Sequence, residues 1–326
     1  MIMMRSGLLI HPDELSRTWI DRMADAGITT LGIHPVGGKR APRTLSELLK
    51  RCGEPDFQAL LDYAATRGLQ IEYEFHAAGY LMPRTLFAEH PEYFRMNAEG
   101  VRVPDHNFCV SNEEGMKLVA MRAVDAAKRL YGSRPVFYFW MDDQKDSHCM
   151  CPKCRHLSGS DQALLVINRI LAEIRQIIPE AKAAYLAYYD SLNVPSVIKP
   201  ADGVFLEYAP LEKYNAKGED AAALIAHEEA MLEPLLAYFG EKDAKVLEYW
   251  FDNSMFSEWK KPPKAFALDE ARMNEDIADY RKKGFCNIAS FACYLGYDYE
   301  DRFAPVDIEP FAKAIHAGCI DKSDDL

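Results

Sequence analysis

Short apolar runs recur along this chain, separated by longer stretches in which apolar positions return every three or four residues. The short runs are "GLLIH" (7–11), "TTLGIH" (29–34), "LQIEYEFH" (69–76), "PVFYFW" (135–140), "AAYLAYY" (183–189), "GVFLEYA" (203–209), "KVLEYWF" (245–251) and "NIASFACYL" (287–295). Runs of this length, rich in β-branched and aromatic residues, read as strands. Between them, "DELSRTWIDRMADAG", "EEGMKLVAMRAVDAAKRLYG", "SDQALLVINRILAEIRQIIP", "EDAAALIAHEEAMLEPLLAYFG" and "LDEARMNEDIADYRKKG" carry the helical period, several opened by Ser or Asp and closed by Gly or Pro. Eight strands alternating with helices predict an α/β fold, a parallel (β/α)8 TIM barrel with long βα loops, in one domain over residues 1–326. A doubly wound sheet is the alternative. The crossover "DSLNVPSVIKPAD" is short and broken by proline, so its helix should be stunted.

A barrel gives function an address, because its active sites sit at the C-terminal ends of the strands. Every predicted strand end carries a polar or aromatic residue: His11, His34, His76, Asp142, Tyr189, Tyr208, Asp252 and Tyr294. Alternation at period two then turns Glu72, Glu74 and His76 of the third strand inward, with Tyr138, Trp140 and Asp142 of the fourth and Glu248, Trp250 and Asp252 of the seventh. Carboxylates among aromatics are costly to bury unless each is paired, hydrogen-bonded or used.

Charge narrows the ligand. A net charge of -12 disfavours nucleic acid and anionic membranes, and a neutral or cationic ligand suits it better. No apolar stretch approaches the length of a membrane span, and the N-terminus is a poor signal peptide, so the expected location is cytoplasmic. Of the eight cysteines, Cys149, Cys151 and Cys154 cluster, whereas Cys52, Cys109, Cys286, Cys293 and Cys319 are scattered, which suits a reducing compartment.

Two motifs follow the fourth strand in "FYFWMDDQKDSHCMCPKC" (137–154). Asp142 and Asp143 can meet one ligand only where the backbone turns; the alternative is a loop-start Asp capping amides beside a solvated neighbour. As a functional pair, one acid stays ionised and the other donates a proton, which glycoside cleavage requires. With a 2-acetamido sugar the substrate supplies the nucleophile, so two neighbouring acids suffice. The thiols form CxCxxC, three soft ligands for a tetrahedral metal; the fourth is His148 or Cys109, and reduced unmetallated cysteines are the alternative. The aromatics Trp140, Tyr188, Tyr189, Tyr208, Trp250 and Tyr294 read as core or as sugar platforms, and Glu74 and His76 as partners for sugar hydroxyls or for interior acids.

The segments "HPEYFRMNAEG" (90–100), "FCVSNEEGMKLV" (108–119), "DDQKDSHCMCPKCRHLSGSDQALLVINRILAEI" (142–174) and "AAYLAYYDSL" (183–192) resemble the DUF4838 domain, part of which is classed as glycoside hydrolase family 163. The resemblance, with its wider kinship to hexosaminidase families 20 and 84, implies a (β/α)8 barrel and a retaining, substrate-assisted β-N-acetylglucosaminidase. In that scheme Asp142 polarises the acetamido group and Asp143 is the general acid/base. Family 20 usually has Asp-Glu here, whereas Asp-Asp is the family 84 pattern. Barrel β-galactosidases of family 42 bind zinc through CxCxxC and an upstream Cys, which supports a structural zinc on Cys109, Cys149, Cys151 and Cys154.

The expected protein is therefore a glycoside hydrolase with a carbohydrate substrate and no organic cofactor. Its catalytic residues are Asp142 and Asp143, and its substrate-binding residues are Glu74, His76, Trp140, Tyr189, Tyr208, Trp250, Asp252 and Tyr294. Two rivals stand beside it: a metal-dependent sugar isomerase or lyase with Glu74, His76, Asp142 and Glu248 as ligands, and a non-catalytic carbohydrate-binding barrel.

Overall fold

The computed structural model describes residues 4–317; Cys319 lies outside them. Eight parallel strands close into one barrel in chain order: β1 (Arg5–Ile10), β2 (Thr30–Ile33), β3 (Gln70–His76), β4 (Val136–Trp140), β5 (Lys182–Ala187), β6 (Val204–Tyr208), β7 (Lys245–Glu248) and β8 (Asn287–Phe291). Each lies within or beside a run predicted from the sequence. The ring closes where β1 pairs with β8, with Gly7 opposite Ala289. The TIM barrel expectation therefore holds.

Local chemistry explains the helices that pack outside. Ser16 caps Arg17–Asp25, Asn112 caps Glu113–Arg129 and Asp269 caps Glu270–Lys282, each side chain accepting a first-turn amide. Ser158 and Asp161 form a reciprocal capping box for Gly159–Ile174. The buried Asp161 does more: its Oδ1 accepts the amides of Ser196, Val197 and Ile198 at 2.8–3.0 Å. That carboxylate pins the crossover between β5 and β6, where Pro195 and Pro200 interrupt the chain and no α-helix forms.

The core has two compartments, because a strand in this fold is buried on both faces. One lies between barrel and helices; the other fills the barrel with Leu9, Val136, Tyr138, Ala184, Leu186, Phe205, Leu247, Ala289 and Phe291. Membership of the second compartment corrects one expectation. In β7 the inward residues are Lys245 and Leu247, followed by Tyr249, so Glu248 and Trp250 face the helices instead.

Candidate active site

A cavity of about 350 Å³ opens at the C-terminal ends of the strands, within the size range of small-molecule sites. Seven strand ends give it ring-bearing side chains: His11, His34, His76, Trp140, Tyr188, Tyr249 and Phe291. The loops beyond add Asp143, Tyr189, Asp252, Trp259 and Tyr294. Of the residues expected to touch substrate, His76, Trp140, Tyr189, Asp252, Tyr294 and Asp143 all line it.

Four others do not, Asp142 (below) among them, and the reasons differ. Glu74 is turned inward as expected but sits a layer below the cavity, fully buried and ion-paired with Lys245. Tyr208 faces outward, where its hydroxyl donates to the Glu228 carbonyl at 3.0 Å. Trp250 also faces outward; it packs near Phe311 and its Nε1 donates to Asp276 at 3.0 Å. Glu248 is buried among Lys213, Tyr214 and Tyr280, all of which donate to it. The ligand set of the metal-dependent isomerase reading, Glu74, His76, Asp142 and Glu248, is therefore dispersed rather than assembled.

The two adjacent aspartates part company at the turn. Asp143 is exposed and lines the cavity. Asp142 lies behind it, where Oδ2 accepts from Arg84 Nη2 at 2.5 Å and from the Asn107 amide at 2.7 Å. Its own amide donates to Asn107 Oδ1 at 2.9 Å, so side chain and backbone both clamp the turn to the preceding loop. In the turn after β5, Asp190 accepts the amides of Asp146 and Ser147, each at 2.6 Å. The loop that presents Asp143 is thus tied at both ends.

Several cavity groups are buried but not fully partnered. The Tyr188 hydroxyl has no hydrogen-bond partner, and burial together with the Asp143 carboxylate pushes its phenol pKa up. It stacks on Tyr189, with ring centroids 5.0 Å apart. Across the cavity, Asp252 Oδ1 accepts from the Ser254 hydroxyl and amide, while burial raises its carboxyl pKa. The histidines are ordered by main chain: Nδ1 of His11 donates to the His34 carbonyl at 2.7 Å, Nδ1 of His34 to the Glu74 carbonyl at 2.8 Å, and Nδ1 of His76 to the Met141 carbonyl at 2.8 Å.

The cysteines converge as the spacing suggested. Sulfurs of Cys109, Cys149, Cys151 and Cys154 all lie within 4.8 Å of one another, and all four residues are buried. Cys109 Sγ is 3.8 Å from that of Cys151 and 3.9 Å from that of Cys154. His148, the other candidate fourth ligand, instead places Nδ1 3.3 Å from Asp190.

The family described as "Domain of unknown function (DUF4838)" has a model that matches residues 52–227, more than half of the chain. This chain belongs to DUF4838. The matched segment carries β3 to β6 of the barrel, Asp142, Asp143 and the whole cysteine quartet. No curated protein matches the sequence.

Solved structures similar to this DUF4838 chain are themselves barrels. The pneumococcal virulence factor StrH, in a structure addressing N-glycan recognition and hydrolysis, is 11% identical, with 97% of this chain and 83% of that one covered at a TM-score of 0.53. Endo-glycoceramidase II from Rhodococcus sp., as its lactosyl-enzyme intermediate, is 11% identical over 89% and 73% of the two chains, at 0.52. ZgEngAGH5_4 with a cellotriose is 14% identical over 93% and 88%, at 0.50. At such identities the likeness shows the fold.

Sequence reasoning passed over several cavity residues. Tyr249, Asn215 and Trp259 gave no signal beyond position after a strand or in a loop. His11 and His34 did give one, a histidine at the end of each of two successive strands, but neither was expected to touch substrate. Among the described residues no helix is long and apolar enough to cross a membrane.

Proposed function

We propose that this DUF4838 protein is a retaining β-N-acetylglucosaminidase, with Asp143 as its general acid/base. The observation that carries this reading is one accessible carboxylate, Asp143, on a strand-end cavity walled by Trp140, Tyr188, Tyr189, Tyr249 and Tyr294. Aromatic faces cover the apolar faces of a sugar ring, and the carboxyl protonates the leaving glycosidic oxygen. The substrate's acetamido oxygen then attacks the anomeric carbon, and Asp143 later takes a proton from the incoming water. Asp142, held on Arg84 and Asn107, keeps Asp143 in place; the Tyr188 hydroxyl is the free donor that orients the acetamido group.

A second reading rests on Asp252, which faces the same cavity from the β7 side. In it Asp143 and Asp252 act as acid and nucleophile in a double displacement that needs no acetamido group. Aryl β-N-acetylglucosaminide and aryl β-glucoside separate the two: the first reading expects turnover of the former alone. In either case Asp143→Asn should lower kcat about 10²–10⁴-fold without lowering Tm. Unchanged turnover in that variant sinks the assignment.

The quartet fits zinc. Four thiolates at the Zn–S bond length of about 2.3 Å sit roughly 3.8 Å apart in a tetrahedron, close to the sulfur separations given above. Cys109, Cys149, Cys151 and Cys154 would hold the ion in a closed structural site, tying the loop after β4 to the one after β3. The seven cysteines among the described residues are free, which supports a reducing compartment such as the cytoplasm. Elemental analysis should find about one zinc per chain. Chelation should lower Tm, and Cys154→Ser should lose the metal.

A further inference from the structure

Three imidazoles sit side by side on the cavity wall, at the ends of β1, β2 and β3. Successive ring centroids are 5.8 Å apart from His11 to His34 and 6.2 Å from His34 to His76. Each Nδ1 faces a main-chain carbonyl, and a carbonyl can only accept. The proton of each neutral ring therefore sits on Nδ1, and Nε2 is left as a bare lone pair. Burial reinforces this for His11 and His34, whose pKa values lie below the ordinary 6.5.

Gly37 keeps open the space that two of these nitrogens face. A Cβ at this position would lie 3.5 Å from His76 Nε2, 3.9 Å from His34 Nε2 and only 2.9 Å from His76 Cδ2. A side chain here would push the His76 ring out of its place. The vacated volume belongs to the cavity, next to the Trp140 ring, whose centroid is 5.5 Å from that of His34 and 5.2 Å from that of His76.

We infer that the Nε2 atoms of His11, His34 and His76 form a row of acceptors that reads hydroxyl donors along one edge of a sugar ring. The cavity accordingly takes a sugar whose hydroxyls on that edge are free, and discriminates against the same sugar alkylated, acylated or fluorinated there. A fluorine keeps about the size of the hydroxyl, and an ether or ester only adds bulk, but none of them brings a proton to a lone pair that already has none. Each facing pair of acceptors is then left unsatisfied, which is how a polar site rejects an analogue. This inference rests on the carbohydrate reading above, but it concerns recognition and not cleavage.

The test is binding, measured by calorimetry on the full chain. The probes are methyl β-N-acetylglucosaminide and its 3-, 4- and 6-deoxyfluoro analogues. At least one analogue should bind about tenfold more weakly than the parent sugar. His34→Asn and His76→Asn retain a donor where Nδ1 stands and delete only the Nε2 acceptor. In the variant that reads the affected position, the difference between sugar and fluoro-sugar should vanish, and Gly37→Ala should abolish binding of both. Equal affinity for all four probes, or no binding of any, overturns the inference. So does uptake of Zn²⁺ or Mn²⁺ that both His→Asn variants remove, which would make the row a metal site. A fluorine effect without hydrolysis leaves the row standing and removes the glycosidase reading, whereas hydrolysis without a fluorine effect does the reverse.

Discussion

Two levels of the barrel interior hold polar groups, and they are built on opposite terms. In the lower level, Lys245 of β7 pairs with Glu74, with Glu207 at 3.2 Å and with Glu72 at 3.5 Å, all essentially inaccessible to solvent. Glu72 also accepts from Arg134 at 3.0 Å and from the Tyr138 hydroxyl at 2.7 Å, and Glu207 accepts from Trp140 Nε1 at 2.7 Å. Burial pushes the Glu74 pKa well up, with Lys245 pulling it down and the neighbouring Glu207 and Glu72 adding to the rise. In the upper level the Tyr188 hydroxyl has no partner, and the histidines are bonded on one nitrogen each. The lower charges are held by one another through ion pairs, although Glu74 Oε2 and Glu207 Oε1 make no hydrogen bond, and they act as scaffolding; the ring nitrogens left open on the cavity wall mark where a ligand completes the set.

The largest effect expected from breaking this contrast is at Lys245. Lys245→Met strands its carboxylates and should cost about 3–5 kcal/mol in urea unfolding, with part recovered when Glu74→Gln and Glu207→Gln are added. Two tyrosines make the sharper comparison. Tyr138→Phe removes a hydroxyl bonded to Glu72 and should cost about 1–3 kcal/mol, whereas Tyr188→Phe removes one with no partner and should leave stability within about 0.5 kcal/mol. Sugar binding should respond in the opposite order, falling only for Tyr188→Phe.

Acid distinguishes the levels more gently. Folded His11 and His34 titrate below 6.5, whereas in the unfolded chain they titrate near it. Between those values the unfolded chain binds more protons, so their contribution to stability is present above pH 6.5 and lost as pH falls through the folded values. Urea midpoints between about pH 7.5 and about pH 5 should fall less steeply in His34→Asn than in the parent. Trp250 faces the helices, so Trp250→Phe should cost about 1 kcal/mol of stability for the lost bond to Asp276 and leave sugar affinity unchanged.

Strand 3 and strand 7 show how far sequence pattern reaches. In β3 the alternation separates Ile71, Tyr73 and Phe75 from Glu72, Glu74 and His76, so polarity identifies the inward face correctly. In β7 the same reasoning placed Glu248 and Trp250 inside, and the structure reverses it. Both faces of a barrel strand are buried, so an acid on one side carries no sign of which side that is. Lys213, Tyr214 and Tyr280 satisfy Glu248 on the helix side, and all three come from elements remote in sequence. Tyr208 was misplaced for the same reason, its partner being a carbonyl in the helix Ala221–Phe239.

The chain's local pattern determined the eight strands, their alternation with helices, the helix-less crossover and the spacing of the cysteines. Each of these depends on residues near in sequence: period, caps, prolines, and ligand separations short enough to close one loop. Tertiary structure alone decided which of two adjacent aspartates meets the cavity, which face of β6 and β7 points inward, and which carboxylates are consumed by Lys245. Those choices depend on partners brought together by barrel closure, such as Arg84 for Asp142 and Glu74 for Lys245, and no local pattern encodes a partner that distant.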